Sequence, residues 1–377
     1  MDADKKTGSA GKLNKTVRQT VCILLTILLT AWGFVHLSYM CRGYDKLMTF
    51  YGMEKDSCDT VFIGTSTTFS GIMPMDLYEQ QGITSCIYAT NMQFENSLKY
   101  SVREVLKTQK PKLLVIDIAP FVSGHHPAAR GEDWHPENRE LFIKFNIDSM
   151  KYSPGRTALI HEISEAVDAD LPRRIYYHLD ISRYHTNTPN RKHFDNAQYD
   201  IGKGFQYLSH DAGGKTVPEE LGADDGSSMP LPETEQRYLE ELAEEVQKLD
   251  CEVLFVFLPV YCNGEGWQRK NYTGEYLQSR GFAFHDFSRE MEALGIDPET
   301  DFWGYNHLDS LGAAKATKRI GEYLAENYEL PDRREDPACA WWTKELESWH
   351  KIKASNDDYD RKTCAYLNPA GISAAER

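Results

Sequence analysis

The chain has 377 residues, of which 41% are hydrophobic and 12% aromatic, and this is the composition of a globular protein rather than a disordered one. Its formal net charge of −15 argues against a nucleic-acid partner, because binding to phosphates needs clustered Lys and Arg. Eight cysteines without a Cys-x-x-Cys pair make neither a disulfide framework nor a structural zinc site in a chain of this length.

The first predicted element is a membrane span at residues 19–41, which contain no Asp, Glu, Lys or Arg. At about 1.5 Å per residue this run is long enough to cross a hydrocarbon core of roughly 30 Å, and Trp32 and Tyr39 suit an interfacial position. The excess of Lys and Arg before the run predicts a cytoplasmic segment 1–18 and an extracytoplasmic main domain. A cleaved signal peptide is the alternative, but no small-residue cleavage site follows the apolar core. An intracellular hydrolase would require the run to be a buried helix.

After a linker at 42–57, predicted strands alternate with predicted helices. The strands are predicted at 59–64, 86–89, 111–118, 252–259 and 282–286, and the helices at 75–82, 97–108, 235–249 and 311–327. Nearly continuous apolar strands alternating with helices are typical of a parallel sheet that is covered on both faces.

Two regions fall outside this alternation. Residues 122–230 have weak strand signals, and we interpret them as an insertion, part helix and part loop, that shapes a substrate cleft. Its histidines His125, His126 and His135 lack a helical i, i+4 pair, so we predict neither a metal site nor a cofactor there. The tail at 331–377 carries three tryptophans, which we expect to pack on the domain, with contact to a partner as the alternative.

Ser66 and His307 are the candidate catalytic pair. Ser66 follows the first predicted strand, and His307 precedes the last predicted helix. A serine and a histidine are the minimum parts of nucleophilic acyl chemistry, and active sites of parallel sheets lie at the carboxyl ends of the strands. We therefore expect their side chains to lie within hydrogen-bonding reach. The alternatives are a helix N-cap for Ser66 and a purely structural role for His307.

Several segments in order resemble the SGNH (GDSL-like) hydrolase superfamily. Within it they are most similar to the membrane-anchored bacterial branch that includes relatives of the teichoic-acid D-alanyl transfer protein and of alginate O-acetylation proteins. The resemblance covers about residues 58–330. It rests on Ile63-Gly64-Thr65-Ser66, Gly71-Ile72-Met73-Pro74, Lys110 to Asp117, Gly202-Lys203-Gly204-Phe205, Asp301-Phe302, His307-Leu308 and Gly312-Ala313. It implies a three-layer α/β/α fold in which Ser66 is the nucleophile and His307 is the base.

The chain departs from the family pattern at three places. The resemblance implies an Asp three residues before the histidine, but Gly304 stands there, and Asp301 is the nearest replacement, ahead of Asp309 and Asp286. The glycine that the family uses for its oxyanion hole is replaced by a Thr-Asn-Met-Gln run, and no Gly-x-Asn-Asp block follows the third strand. The predicted oxyanion and binding residues are Gly64, Asn91, Gln93 and Asp117.

These observations predict a membrane-anchored extracytoplasmic esterase or O-acyltransferase that acts on a cell-envelope glycan or polymer. The departures keep a second hypothesis open. In it the protein is a non-catalytic accessory that uses the same cleft to bind polymer or a membrane-bound O-acyltransferase. We expect no nucleic-acid partner in either case.

Overall fold

The computed structural model describes residues 4–42, 47–129, 136–148, 150–208, 223–298, 300–304 and 306–356. The chain divides into two compact units. One contains Met1–Gly43 and Leu179–Asn196, and the other contains Tyr44–His178 and Ala197–Arg377.

The larger unit is built on a sheet of five parallel strands. The strands are β1 Thr60–Gly64, β2 Ser85–Ala89, β3 Leu113–Asp117, β4 Glu252–Phe257 and β5 Ala283–Asp286. Their spatial order is β2-β1-β3-β4-β5, so the winding direction reverses between β1 and β3, where doubly wound sheets bind their ligands. Every residue of β1, β2 and β3 is buried, as expected for strands covered on both faces. The predicted parallel α/β sheet is confirmed, and it is consistent with the three-layer arrangement.

Fourteen α-helices lie within the described ranges. They are α1 Asp4–Cys41, α2 Leu47–Gly52, α3 Ser66–Gly71, α4 Pro74–Gln81, α5 Leu98–Val105, α6 Ala119–Val122, α7 Pro136–Asp148, α8 Pro154–Ala166, α9 Leu171–His178, α10 Asp180–Tyr184, α11 Glu233–Val246, α12 Gly264–Ser279, α13 Ser310–Asn327 and α14 Ala340–Asn356. The four helices predicted from periodicity correspond to α4, α5, α11 and α13. In the larger unit, α13 packs against α3 and α4, and α12 packs against α6 and β5.

The smaller unit consists of α1 and residues 179–196. The part of α1 from Lys15 to Cys41 is long and apolar enough to cross a membrane. Its two predicted interfacial aromatics differ, because Trp32 is 56% exposed whereas Tyr39 is only 5% exposed. Tyr39 is therefore shielded from lipid, and its depth relative to a membrane stays a prediction. Its ring lies against protein instead, with the Arg42 guanidinium 5.1 Å from its centroid.

The core of the larger unit extends beyond residues 58–330. Part of the predicted linker is helix α2, which buries Leu47 and Phe50 in the core. At the other end, α14 buries Trp342 and Trp349, and the Trp349 indole donates a 2.6 Å hydrogen bond to Oδ1 of Asp76. The predicted packing of the tail is thus confirmed for these two side chains, whereas residues 357–377 lie outside the described ranges.

The predicted insertion is part helix and part loop where it is described. Helices α7, α8 and α9 bury a second hydrophobic cluster that includes Ile143, Leu159 and Tyr177. The insertion also reaches the sheet, where the carbonyl of Lys203 accepts a 3.0 Å hydrogen bond from the backbone of Ile87 in edge strand β2.

Candidate active site

His307 lies on a short hairpin that precedes α13. Phe302 and Leu308 form an antiparallel bridge, and the backbone N–H of Trp303 donates a 2.9 Å hydrogen bond to the carbonyl of His307. Gly304 turns the chain at the tip with φ +69°, a conformation that glycine adopts without strain. These backbone bonds hold His307 in the hairpin.

The end of the hairpin is tied to α13 by its N-cap residue. Oδ1 of Asp309 accepts hydrogen bonds from the backbone N–H groups of Leu311 at 2.8 Å and Gly312 at 3.0 Å. The same residue donates its own N–H to the carbonyl of Asp301 at 3.0 Å. Asp309 therefore positions the hairpin by capping, a role that Asp performs well.

Ser66 is the first helical residue of α3, one position after the turn that ends β1. Thr65 is the N-cap, with extended backbone, and its carbonyl accepts the first helical hydrogen bonds from Thr68 and Phe69. Ser66 is therefore not the cap, and the capping alternative fails. Ser66 thus lies in the first turn of α3, at the carboxyl end of β1.

The structure brings the two candidate catalytic residues together. Oγ of Ser66 lies 2.7 Å from Nε2 of His307, although 241 positions separate them in the sequence. Both side chains are half-buried, so each is shielded on one side and accessible on the other. The predicted proximity is confirmed.

Asn306 faces the other side of the imidazole. Its amide Oδ1 lies 2.7 Å from Nδ1 of His307. With the amide oxygen on this side, Asn306 is an acceptor for a proton on Nδ1, and the tautomer protonated there leaves a lone pair on Nε2 for the Ser66 hydroxyl. This is the tautomer that a general base requires.

The orienting group is thus an amide at the place where the SGNH resemblance implies a carboxylate. No model of a known protein family matches the chain, and no curated protein matches it. SGNH membership therefore stays a hypothesis, and only the geometry of the site bears on function.

The carboxylates expected near His307 are engaged elsewhere. Asp301 is buried, and its Oδ2 lies 2.5 Å from Nζ of Lys315 and accepts a 2.6 Å bond from a backbone N–H. Asp309 caps α13, and Asp286 pairs with a lysine of α12 at 2.6 Å. The predicted orienting role of Asp301 is wrong, because a buried carboxylate needs a cation and Lys315 supplies it.

Gln93 points away from the serine. Its buried amide Nε2 donates to the hydroxyls of Ser97 at 2.5 Å and Ser101 at 3.0 Å. Both amide protons are used there, so the side chain is not the oxyanion donor that the sequence suggested. Its backbone N–H instead donates to Oγ1 of Thr65 at 3.2 Å, which ties the chain after β2 to the turn that presents Ser66.

Asn91 follows β2 at the edge of the sheet where Ser66 follows β1. Gly64 pairs with Ala89 across β1 and β2, and Ser66 and Asn91 each lie two residues beyond that pair. Because neighbouring parallel strands advance together, this register puts both residues at the same edge of the sheet. Asn91 remains the predicted side-chain oxyanion donor.

Asp117 and Gly64 form the floor of the site. Oδ2 of Asp117 accepts hydrogen bonds from the hydroxyls of Thr67 at 2.6 Å and Thr68 at 2.9 Å. Burial raises the pKa of this carboxyl to about 6, despite these donors. A Cβ on Gly64 would lie 2.0 Å from Oγ1 of Thr68. Both residues therefore hold the first turn of α3 in place.

Asn306, Thr67 and Thr68 are site residues that the sequence did not predict. Asn306 precedes His307 directly, and the two threonines follow Ser66 directly. Their position next to the candidate residues was the available signal, but only the directions of the side chains assign the roles.

The histidines of the insertion serve local structure. His125 is buried, which lowers its pKa to about 4, and its Nδ1 lies 3.2 Å from the carbonyl of Gln93. Nδ1 of His126 accepts a 2.9 Å bond from the backbone of Ala128, and His135 lies outside the described ranges. Across those ranges, no three potential metal ligands come together.

An exposed aromatic side chain lies next to the base. Trp303 is 43% exposed, and its ring centroid lies 5.8 Å from that of His307 with the planes at 75°. The hairpin bond from its backbone to His307 holds the indole beside the site.

Proposed function

We propose that this protein is a serine-dependent ester hydrolase or O-acyltransferase that works outside the membrane. The observation that carries the proposal is the chain of two 2.7 Å contacts that runs from Ser66 Oγ through the His307 ring to Asn306 Oδ1. Nucleophile, base and orienting group within hydrogen-bonding distance are the signature of an activated serine.

The reaction begins when Oγ of Ser66 attacks an ester carbonyl carbon as Nε2 of His307 accepts the hydroxyl proton. The tetrahedral oxyanion is stabilised by N–H donors at the start of α3 and by Asn91. The carbon–oxygen bond of the ester then breaks, the leaving alcohol takes the proton from His307, and an acyl ester of Ser66 remains. Water or a sugar hydroxyl gives its proton to His307, attacks this ester and releases the serine.

The neutral amide lowers the expected rate. Asn306 orients His307 and selects the useful tautomer, as an Asn does in papain-like Cys-His-Asn sites. It adds no negative charge to stabilise the imidazolium that forms in the transition state. We therefore expect a slower enzyme than one with a carboxylate at this place.

We further propose that the substrate is an acylated glycan or polymer of the cell envelope. The exposed indole of Trp303 offers a flat apolar face on which a sugar ring packs through its C–H groups, directly beside the base. The apolar helix α1 supports a single membrane span, and the preceding basic residues favour a cytoplasmic N-terminus.

The non-catalytic accessory is the second candidate. Two observations favour it. Asn306 stands in the place of a carboxylate. The side-chain amide of Gln93 donates to buried hydroxyls and not to an oxyanion at the site. In this case the same cleft binds the polymer or a membrane-bound O-acyltransferase without turning over an ester.

Hydrolysis of a small acetate ester by the full-length protein in nanodiscs tests the proposal. We expect Ser66→Ala and His307→Ala to reduce the rate to background, and a serine-directed fluorophosphonate to label the wild type but not Ser66→Ala. Ser70→Ala is the matched control, because Ser70 is a buried serine of the same helix. Equal rates for wild type and Ser66→Ala, without labelling, would leave the accessory hypothesis.

A further inference from the structure

The C-terminal end of α1 is covered by a segment that is distant in sequence, residues 179–196. The helix is exposed from Lys15 as far as Trp32 and becomes half-buried or buried from Gly33 onward, with Leu37 an exception. Two of its last carbonyls, which have no partner within a helix, and the carbonyl of Arg42, the residue after the helix, are bonded to side chains or backbone of this segment. The bonds are Asn190 N–H to Met40 O at 2.7 Å, Asn187 Nδ2 to Cys41 O at 2.9 Å, and His193 Nδ1 to Arg42 O at 3.0 Å.

A buried cluster of charged side chains lies at the C-terminal end of α1. Nε of Arg42 donates a 2.6 Å hydrogen bond to Oδ2 of Asp180, and Arg183 donates to Oδ1 of Asp180 at 2.6 Å. All three side chains are buried. Such a cluster is stable inside protein, where each charge has a partner, and is expensive in hydrocarbon. The last turn of α1 is therefore in a protein environment.

Phe194 lies where the covered part of α1 begins. Its ring stacks on His36 with centroids 4.1 Å apart, its carbonyl lies 2.7 Å from His36 Nδ1, and its ring lies 5.9 Å from Trp32. Phe194 is nevertheless 42% exposed, and Trp32 is 56% exposed. The exposed cations Arg191 and Lys192 lie three and two positions before it. Aromatic rings next to cations are the side chains that favour the headgroup region of a bilayer.

We propose that the 179–196 segment rests on the outer phospholipid surface and that the bilayer boundary lies between Trp32 and His36, not at Cys41. The inference rests on the proposed membrane span of α1. At about 1.5 Å per residue, Arg18 and His36 are about 27 Å apart along the helix, which matches a hydrocarbon core of roughly 30 Å. The segment then limits how deeply α1 inserts into the bilayer, and Phe194 lies among the lipid headgroups.

Quenching of tryptophan fluorescence by brominated phospholipids tests this depth. Full-length protein is placed in nanodiscs whose lipids carry bromine either near the headgroup or near the chain end. Subtracting the Trp32→Phe spectrum isolates Trp32. Phe194→Trp and Leu28→Trp are measured in the Trp32→Phe background, and Leu28 is the depth control because it is exposed two turns before His36.

We expect the Trp32 and Phe194→Trp signals to lose more intensity to bromine near the headgroup, and the Leu28→Trp signal to lose more to bromine near the chain end. With a boundary at Cys41, Trp32 would lie about 13 Å inside the bilayer, and chain-end bromine would quench it best. That result, or a Phe194→Trp signal quenched by aqueous iodide alone, would overturn the inference. A Leu28→Trp signal that neither lipid quenches would overturn the membrane span itself.

Discussion

Asn306 Oδ1 lies 2.7 Å from Nδ1 of His307, so an amide orients the base of the candidate site. Asn306 is exposed, whereas the nearest predicted carboxylate, that of Asp301, is buried against Lys315. A carboxylate at this place would both select the tautomer of His307 and stabilise the imidazolium by its negative charge. Asn306 selects the tautomer without adding that charge. Substitution of Asn306 therefore tests the two roles separately.

Asn306→Asp is expected to increase ester hydrolysis. The carboxylate keeps the hydrogen bond to Nδ1 and raises the pKa of His307 by stabilising the imidazolium. An Asp-to-Asn change in a buried triad costs about 10⁴ in kcat, so we expect a smaller gain of about tenfold at this exposed position. The pH profile of kcat/KM for a small acetate ester measures it, with Asn306→Ala as the control that lowers the rate. A rate that does not rise would contradict the orienting role.

Asp301→Asn is expected to affect stability rather than the base. The substitution removes the charge that pairs with Lys315 but leaves His307 and its two partners unchanged. We expect unfolding in urea to become easier by about 1–3 kcal/mol, and the pH profile of the folded protein to keep its shape. A profile that changes as it does in Asn306→Ala would restore Asp301 as the orienting residue.

Gly64→Ala is expected to destabilise the turn that carries Ser66. The new Cβ would lie 2.0 Å from Oγ1 of Thr68 and 2.8 Å from Cβ of Asp117, both buried. Overpacking of this kind costs about 1–3 kcal/mol. Gly71→Ala is the matched control at the other end of α3, because its Cβ would meet only ordinary contacts at 3.6 and 3.7 Å. Equal melting temperatures for the two variants would show that the turn has room.

Trp303→Ala is expected to weaken the binding of glycan substrates but not the hydrolysis of small esters. If a sugar ring packs on the indole, KM for an acetylated oligosaccharide rises by about two- to tenfold, which corresponds to the loss of one aromatic contact. Hydrolysis of a small alkyl acetate, which does not reach the indole, keeps its rate. Trp303→Phe restores part of the binding. Equal losses for both substrates would show that Trp303 stabilises the hairpin and does not bind the glycan.

Asp117→Asn is expected to flatten the dependence of stability on pH. An unfolded Asp releases its proton near pH 3.8, but buried Asp117 does so near pH 6, so the folded state binds more protons between these values. The contribution of Asp117 to stability therefore falls as pH rises from about 4 to 6, and the full cost, at most about 3 kcal/mol, applies above pH 6. Asn stays neutral throughout. Urea unfolding of both proteins from pH 4 to 7 measures the difference, and a constant difference would contradict the raised pKa.

The elements of the sheet could be predicted because their information is local. Continuous apolar runs such as 59–64 and 111–118 are buried strands whatever their neighbours are, and the predicted strand and helix bounds differ from the observed ones by at most a few residues. The same reasoning put Ser66 at a carboxyl end of the parallel sheet and identified an apolar run long enough for a membrane.

The partners of each side chain were decided by the tertiary structure. Asp301 and Asn306 lie on the same hairpin, yet only the path of the backbone through Gly304 turns the amide toward His307 and leaves the carboxylate to Lys315. Similarly, Tyr39 is buried because residues 179–196 return to the end of α1. Local periodicity determines which residues form a strand or helix, whereas hydrogen-bond partners depend on the direction of each side chain in the folded protein. The sequence alone therefore identified Ser66 and His307, and only the fold showed which amide orients the histidine.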